Sequence, residues 1–271
     1  MNGPSLRVCV AGVTGWAGSA LARGIVAAED MQLVAGVSRR AAGRSVADAL
    51  QLEECSAPVC GSMAEALAAS ADVVVEYTLP EVARDNVLAA LGAGCHVVIG
   101  TSGLTDDDFA AIDEAAQNAE RGVLACGNFS LTAVLMMKFS QMAARWIPNW
   151  EVLDYAHAGK VDAPSGTARE LVHRLAQVGE AELQVPLDQL KGEAQVRGAR
   201  MSGTQVHSVR LPGHVIAIES IFGMDSEKLV MRHEAGSSAT PYVGGALLAI
   251  RGVASLVGLH RGLDTVMPMS D

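Results

Sequence analysis

Apolar and polar positions along the chain follow one rhythm up to about Asn128 and another beyond it. In the first part, short apolar, β-branched runs alternate with amphipathic stretches. Arg7–Ala11, Gln32–Val37, Asp72–Tyr77, His96–Ile99 and Gly122–Ala125 read as strands. Trp16–Ala28, Met63–Ser70, Pro80–Leu91 and Asp106–Asn118 read as helices between them. That alternation predicts βαβ units and a parallel sheet. The second part opens with a long helical pattern, Leu131–Trp146, a strand at Trp150–Ala156 and a helix at Ser165–Val178. Strands follow at Gln205–Arg210, His214–Phe222 and Glu227–Glu234, and the polar turn Asp225–Glu227 predicts an antiparallel hairpin. The Gly/Ala-rich stretch Tyr242–Leu259 reads as a buried final helix.

Composition narrows the class. In 271 residues, 50% are hydrophobic and only 4% aromatic, which suits packed α/β layers. A formal charge of −10 without any Lys/Arg run argues against nucleic acid or an anionic membrane as partner. The five cysteines are scattered, with no C-x-x-C pair, so neither a zinc site nor a disulfide framework is expected. The polar segment Met1–Leu6 leads straight into a strand, and no apolar run approaches the ~18 residues of a membrane span. A soluble, cytoplasmic protein is expected.

Candidate chemistry begins at Gly12-Val13-Thr14-Gly15-Trp16-Ala17-Gly18, which follows a strand and opens a helix. In that context a glycine-rich turn reads as a dinucleotide fingerprint. Gly12 allows the turn, Gly15 the approach of the pyrophosphate, and Gly18 close helix–strand packing. The second strand ends in Ser38-Arg39-Arg40, where NAD-selective proteins usually place a carboxylate. Guanidiniums there suit a 2′-phosphate, so NADPH is the expected cofactor, with NADH as the alternative. Two loops of small hydroxylated residues, Tyr77-Thr78-Leu79-Pro80 and Gly100-Thr101-Ser102-Gly103, follow the third and fourth strands. Trp16 is expected either beneath the cofactor loop or against adenine.

The second candidate site is His157-Ala-Gly-Lys160-Val-Asp162-Ala-Pro164-Ser165-Gly166-Thr167-Ala168. Ser165 to Thr167 open a helix just after a proline, and a helix N-terminus favours an anion such as a substrate carboxylate. Lys160 and His157 precede it and can supply positive charge and a proton. The remaining histidines read as packing or surface groups, except His214 and His233, which lie in regions that could border a cleft.

This motif resembles the K-x-D-A-P-S-G-T signature of the dihydrodipicolinate reductase family of lysine and diaminopimelate biosynthesis. Asn128-Phe-Ser130 and His233–Ser238 fall in the order that family shows. The resemblance implies an N-terminal Rossmann-type parallel sheet with a second, mixed α/β substrate domain. Residues 1–129 with 240–271 would bind the dinucleotide, and 130–239 would bind substrate and join subunits into a homotetramer. It also implies NAD(P)H-dependent reduction of a cyclic imine dicarboxylate. Gly12 to Ala17 would hold the pyrophosphate, with Arg39 and Arg40 near the adenosine ribose or its phosphate. Thr78, Gly100, Thr101, Ser102, Cys126, Gly127, Asn128 and Phe129 would line the rest of the cofactor. Lys160 would be the proton donor or electrostatic partner, and His157, Ser165, Gly166 and Thr167 would hold the substrate. No metal is implied.

The chain departs from the family pattern at Ala156-His157, where members usually carry two adjacent histidines. Leu79 and Ala239 stand where arginine is common. Three readings follow for the first departure: His157 takes the acid role, Lys160 acts alone, or the site serves another imine or carbonyl. An amino-acid dehydrogenase and a non-catalytic nucleotide-binding protein are the remaining alternatives.

Overall fold

The computed structural model describes residues 5–267. Its contacts divide the chain into two units, Met1–Leu131 with Ala239–Asp271, and Thr132–Ser238.

The first unit is a parallel sheet flanked by helices. Its strands are β1 (Leu6–Ala11), β2 (Met31–Val37), β3 (Val59–Cys60), β4 (Val73–Glu76), β5 (His96–Ile99), β6 (Gly122–Ala125) and, from the far end of the chain, β12 (Gly258–Arg261). The order is β12-β6-β5-β4-β1-β2-β3, every pair parallel. Strand order therefore reverses between β1 and β4, the switch point at which open α/β sheets bind ligands. The connecting helices are α1 (Trp16–Val26), α2 (Val46–Leu50), α3 (Met63–Leu67), α4 (Pro80–Gly92) and α5 (Asp106–Ala119). Val74, Val97, Ile99, Ile112 and Val123 belong to a core cluster that is buried throughout, as expected for strands covered on both faces.

The second unit begins in α6 (Leu131–Ala144), continues through β7 (Asn149–Ala156) and α7 (Gly166–Ala176), and adds β8 (Ala199–Met201), β9 (Thr204–Arg210), β10 (Ile216–Met224) and β11 (Glu227–Ala235). Its sheet is mixed, in the order β11-β10-β7-β9-β8, with only β7 and β9 parallel. The expected hairpin is present: β10 and β11 pair antiparallel from Ile216↔Ala235 to Met224↔Glu227, around Asp225-Ser226. Burial alternates along β7, so Trp150, Val152, Asp154 and Ala156 share the covered face. Trp150, Val152 and Phe222 pack there with Leu171 and Leu175 of α7.

One element differs in kind from the sequence reading. The stretch Tyr242–Leu259 is not a single helix: α8 (Thr240–Gly252) is followed by a 3₁₀ turn and then by β12. Gly258 sits at φ +80°, a left-handed conformation that turns the chain into the edge strand. A short apolar run beside a long helical one carries no period of its own, so the strand is invisible locally. The short α2, β3 and β8 likewise carry no pattern of their own, and the helix at Trp16 stops at Val26.

Candidate active site

Register aligns the ends of five strands. Val37, Ala11, Glu76, Ile99 and Ala125 are successive partners across β2, β1, β4, β5 and β6. The next residue on each strand is Ser38, Gly12, Tyr77, Gly100 or Cys126, so the expected cofactor loops leave the sheet side by side. Gly12 has φ +78°, and a Cβ there would run into the Tyr77 carbonyl. The fingerprint turn thus lies directly on the β4 loop, and only glycine fits. Gly15 caps α1 with no side-chain hydrogen bond, leaving the first turn open to a ligand.

Gly100 is packed as tightly, since a Cβ would strike the Tyr77 ring. That ring meets Phe129 edge to face at 5.7 Å. Thr14 and Ser38 share a hydroxyl hydrogen bond of 2.7 Å, joining the fingerprint to the end of β2. Arg39 and Arg40 are exposed and form no ion pair among the described residues. Trp16 is 60% exposed, with its ring edge-on to Tyr242 at 5.6 Å, so it is not packed beneath the loop. Gly12 and the open helix end fit the pyrophosphate of a dinucleotide. Cys126 and Phe129 are buried, Gly127 is exposed, and the Asn128 carboxamide oxygen accepts from the Ser130 N–H at 2.8 Å.

One group here was missed. Glu76 ends the otherwise apolar β4 and is fully buried. Its carboxylate accepts from the Thr78 N–H at 2.7 Å, the Thr78 hydroxyl, the Asn86 amide at 2.9 Å and the Thr101 hydroxyl at 3.4 Å. Burial pushes its pKa up, and the bonds from Thr78, Asn86 and Thr101 oppose that rise. A single carboxylate closing an apolar run was the available signal.

In the second unit the site loop spans the end of β7 and the start of α7. Ser165 is the N-cap, its hydroxyl accepting from the Ala168 N–H at 3.3 Å. Its own N–H donates to buried Asp154 at 2.8 Å. Arg210 holds Asp154 at 2.7 Å and donates to the Asp162 carbonyl at 2.7 Å, while the Ser208 hydroxyl adds a bond of 3.2 Å. Beneath the loop, then, lies a buried ion pair that the motif itself does not reveal. Asp154 is legible from its parity with Trp150 and Val152. Arg210 carries no local signal.

Above that pair, Lys160 Nζ lies 2.8 Å from Asp162 and is half-buried. The Lys160 bond holds the Asp162 carboxyl below the usual carboxylate range, with Lys160 and Arg169 charge adding to it. His157 is exposed, Gly166 is exposed, and Thr167 is half-buried at the start of α7. Ala156, in place of the expected first histidine, is the fully buried last residue of β7. His233 is buried with Nδ1 3.0 Å from the Thr132 hydroxyl, whereas His214 stacks on Tyr155 at 5.4 Å.

A doubly wound sheet with aligned phosphate-type loops, joined in one chain to a lysine beside a helix N-cap, defines a dinucleotide-dependent oxidoreductase. Two family models, dihydrodipicolinate reductase N-terminus and C-terminus, match residues 6–129 and 132–267. A 4-hydroxy-tetrahydrodipicolinate reductase of Bacillus cereus is 35% identical over 97% of this chain and 98% of its own length. Its counterpart in Listeria monocytogenes is 32% identical over 97% and 100%. A dipicolinate-bound dihydrodipicolinate reductase from Paenisporosarcina sp. TG-14 is 28% identical, with TM-score 0.86, covering 97% of this chain and 100% of that one. The chain belongs to the dihydrodipicolinate reductase family and is an NAD(P)H-dependent oxidoreductase.

Proposed function

We propose that this enzyme reduces 4-hydroxy-tetrahydrodipicolinate in lysine and diaminopimelate biosynthesis, with NADPH preferred to NADH. The observation that carries this reading is the Lys160–Asp162 pair set beside the Ser165-capped start of α7, on a loop pinned by Asp154 and Arg210. A helix N-terminus favours a carboxylate, and the substrate carries two. Ser165, Gly166 and Thr167 take one of them, with His157 at the rim.

A bound nicotinamide dinucleotide supplies the hydride. The substrate's 4-hydroxyl leaves as water to give a conjugated imine, hydride adds at the carbon that carried it, and a proton is delivered to the adjacent carbon. Lys160 is the donor, and Asp162 keeps its ammonium placed. Ala156 removes one histidine from the usual pair, which leaves Lys160 as the main acid and His157 as a substrate contact. Gly12 to Ala17 hold the pyrophosphate; Arg39 and Arg40 take the 2′-phosphate. Thr78, Gly100 to Ser102 and Cys126 to Phe129 line the remainder of the cofactor.

Exposed Met224, Leu229 and Val230 on the β10–β11 hairpin support assembly with further copies, as a homotetramer. Five free cysteines suit the cytoplasm. Among the described residues no helix is long and apolar enough to cross a membrane.

The test is NADPH oxidation at 340 nm with enzymatically generated substrate. Turnover by the parent is expected, and Lys160→Ala should lower kcat by about 10²–10⁴ with little change in NADPH KM. Arg39→Ala should raise the KM for NADPH roughly tenfold and leave that for NADH unchanged, as loss of one charge-assisted hydrogen bond would. Tight NADPH binding without turnover would redirect the assignment to another imine.

A further inference from the structure

Glu76 has no place in the chemistry just described, yet it lies under the loops assigned to the cofactor. No acidic or basic side chain donates to it among the described residues; its partners are an amide N–H, two hydroxyls and a carboxamide. Those partners come from three segments. Thr78 lies in the β4 loop, Thr101 in the β5 loop and Asn86 two turns into α4. The Thr101 hydroxyl also lies 3.2 Å from the Glu76 carbonyl and 3.3 Å from that of Thr78. The fingerprint turn rests on the Tyr77–Thr78 backbone through Gly12. One buried side chain therefore fixes the β4 loop, which supports the Gly12 turn, and ties it to the β5 loop.

Burying a carboxylate without a cation is costly, and packing alone would favour an apolar residue of the same size. The other positions of β4 are all valine. A carboxylate in this place is explained by the bonds it accepts.

We propose that Glu76 is a positioning residue for the dinucleotide, holding the Thr78 and Thr101 loops in the conformation that receives the cofactor. This rests on the reading of those loops as the cofactor site.

The test compares Glu76→Met, which removes both carboxylate oxygens at similar length, with Glu76→Gln. In Glu76→Gln the side-chain oxygen still accepts from Thr78, and the Asn86 amide can flip to meet the new NH₂. NADPH and dipicolinate affinities are measured separately by calorimetry, on the full-length enzyme. Glu76→Met is expected to raise the NADPH Kd about tenfold or more, with dipicolinate Kd unchanged, and Glu76→Gln to restore it to within about threefold. A side chain that only fills space would show no rescue by glutamine and no split between the ligands. If Glu76→Met does not fold, Asn86→Leu removes a donor to Glu76 from outside the cofactor-lining loops and should raise the NADPH Kd several-fold. Unchanged NADPH affinity in the variants overturns the proposal. Arg39→Ala, remote from these bonds, separates the two readings: if it weakens NADPH while the Glu76 and Asn86 variants do not, only the positioning role falls. If the parent binds neither NADPH nor NADH, both fall.

Discussion

The two units of the molecule each bury a carboxylate near the end of a central strand, and they hold it by different chemistry: both oxygens of Glu76 accept bonds, whereas Asp154 accepts all of its bonds at Oδ2 and its buried Oδ1 meets no donor among the described residues. Glu76, closing β4, is met by neutral donors alone; Asp154, in β7, is met by the Arg210 guanidinium together with the Ser165 N–H and the Ser208 hydroxyl. Both groups hold a loop of the proposed site. Neutral donors let the first unit set its loops with short-range bonds and leave Arg39 and Arg40 at the surface. In the second unit one arginine spans three positions at once, Asp154, its backbone carbonyl and Asp162, and so fixes the nine-residue loop 157–165 from a single anchor. Same problem, two solutions.

The comparison breaks most sharply at Arg210. Arg210→Met would strand the Asp154 carboxylate, and removing one partner of a buried ion pair costs about 3–5 kcal/mol. A fall of that size in the urea unfolding free energy is expected, with dipicolinate affinity lost before NADPH affinity. A loss below about 1 kcal/mol would mean that the neutral donors suffice in both units.

Asn86→Ala tests the other side. It removes one neutral donor of several, so about 1 kcal/mol is expected, read by the same denaturation. A cost equal to that of Arg210→Met would erase the distinction.

The smallest effect concerns acid. His96 is held below the ordinary histidine pKa, chiefly by burial and further by Arg121, while its Nδ1 accepts the Gly122 N–H at 2.9 Å. A base depressed in the folded state contributes stability above its unfolded value, and that contribution is lost as pH falls from about 6.5 toward the folded value. The melting temperature should therefore drop over that window, and His96→Gln should flatten the drop. His233, depressed by burial in the second unit, should leave a residual slope of the same sign. An unchanged slope in His96→Gln would place the pH sensitivity elsewhere.

How much of this could be read from the chain depends on the range of the forces involved. The strands of the first unit announce themselves as apolar runs, and the fingerprint glycines are legible because Gly12 has a conformation few residues adopt. Glu76 was within reach as the lone charge on β4. Asp154 was within reach through the period of two along β7. Arg210 was not, because its partners Asp154 and Asp162 are brought to it by strand pairing between β7 and β9, and nothing local to residue 210 marks the meeting. β12 was missed for the same reason. Its four residues become a strand only when β6 is there to receive them.

That last strand bears on how the protein is made. The first unit is split in the sequence, and β12 pairs with β6 from Gly258↔Gly122 to Arg261↔Ala125. On the ribosome, at roughly 5–20 residues per second, β6 emerges on the order of ten seconds before its neighbour is synthesised. During that interval the nascent sheet carries an unpaired edge of apolar residues, open to other nascent chains. The inserted unit sets the length of that exposure, so any lengthening of it prolongs the time in which a chaperone must guard β6.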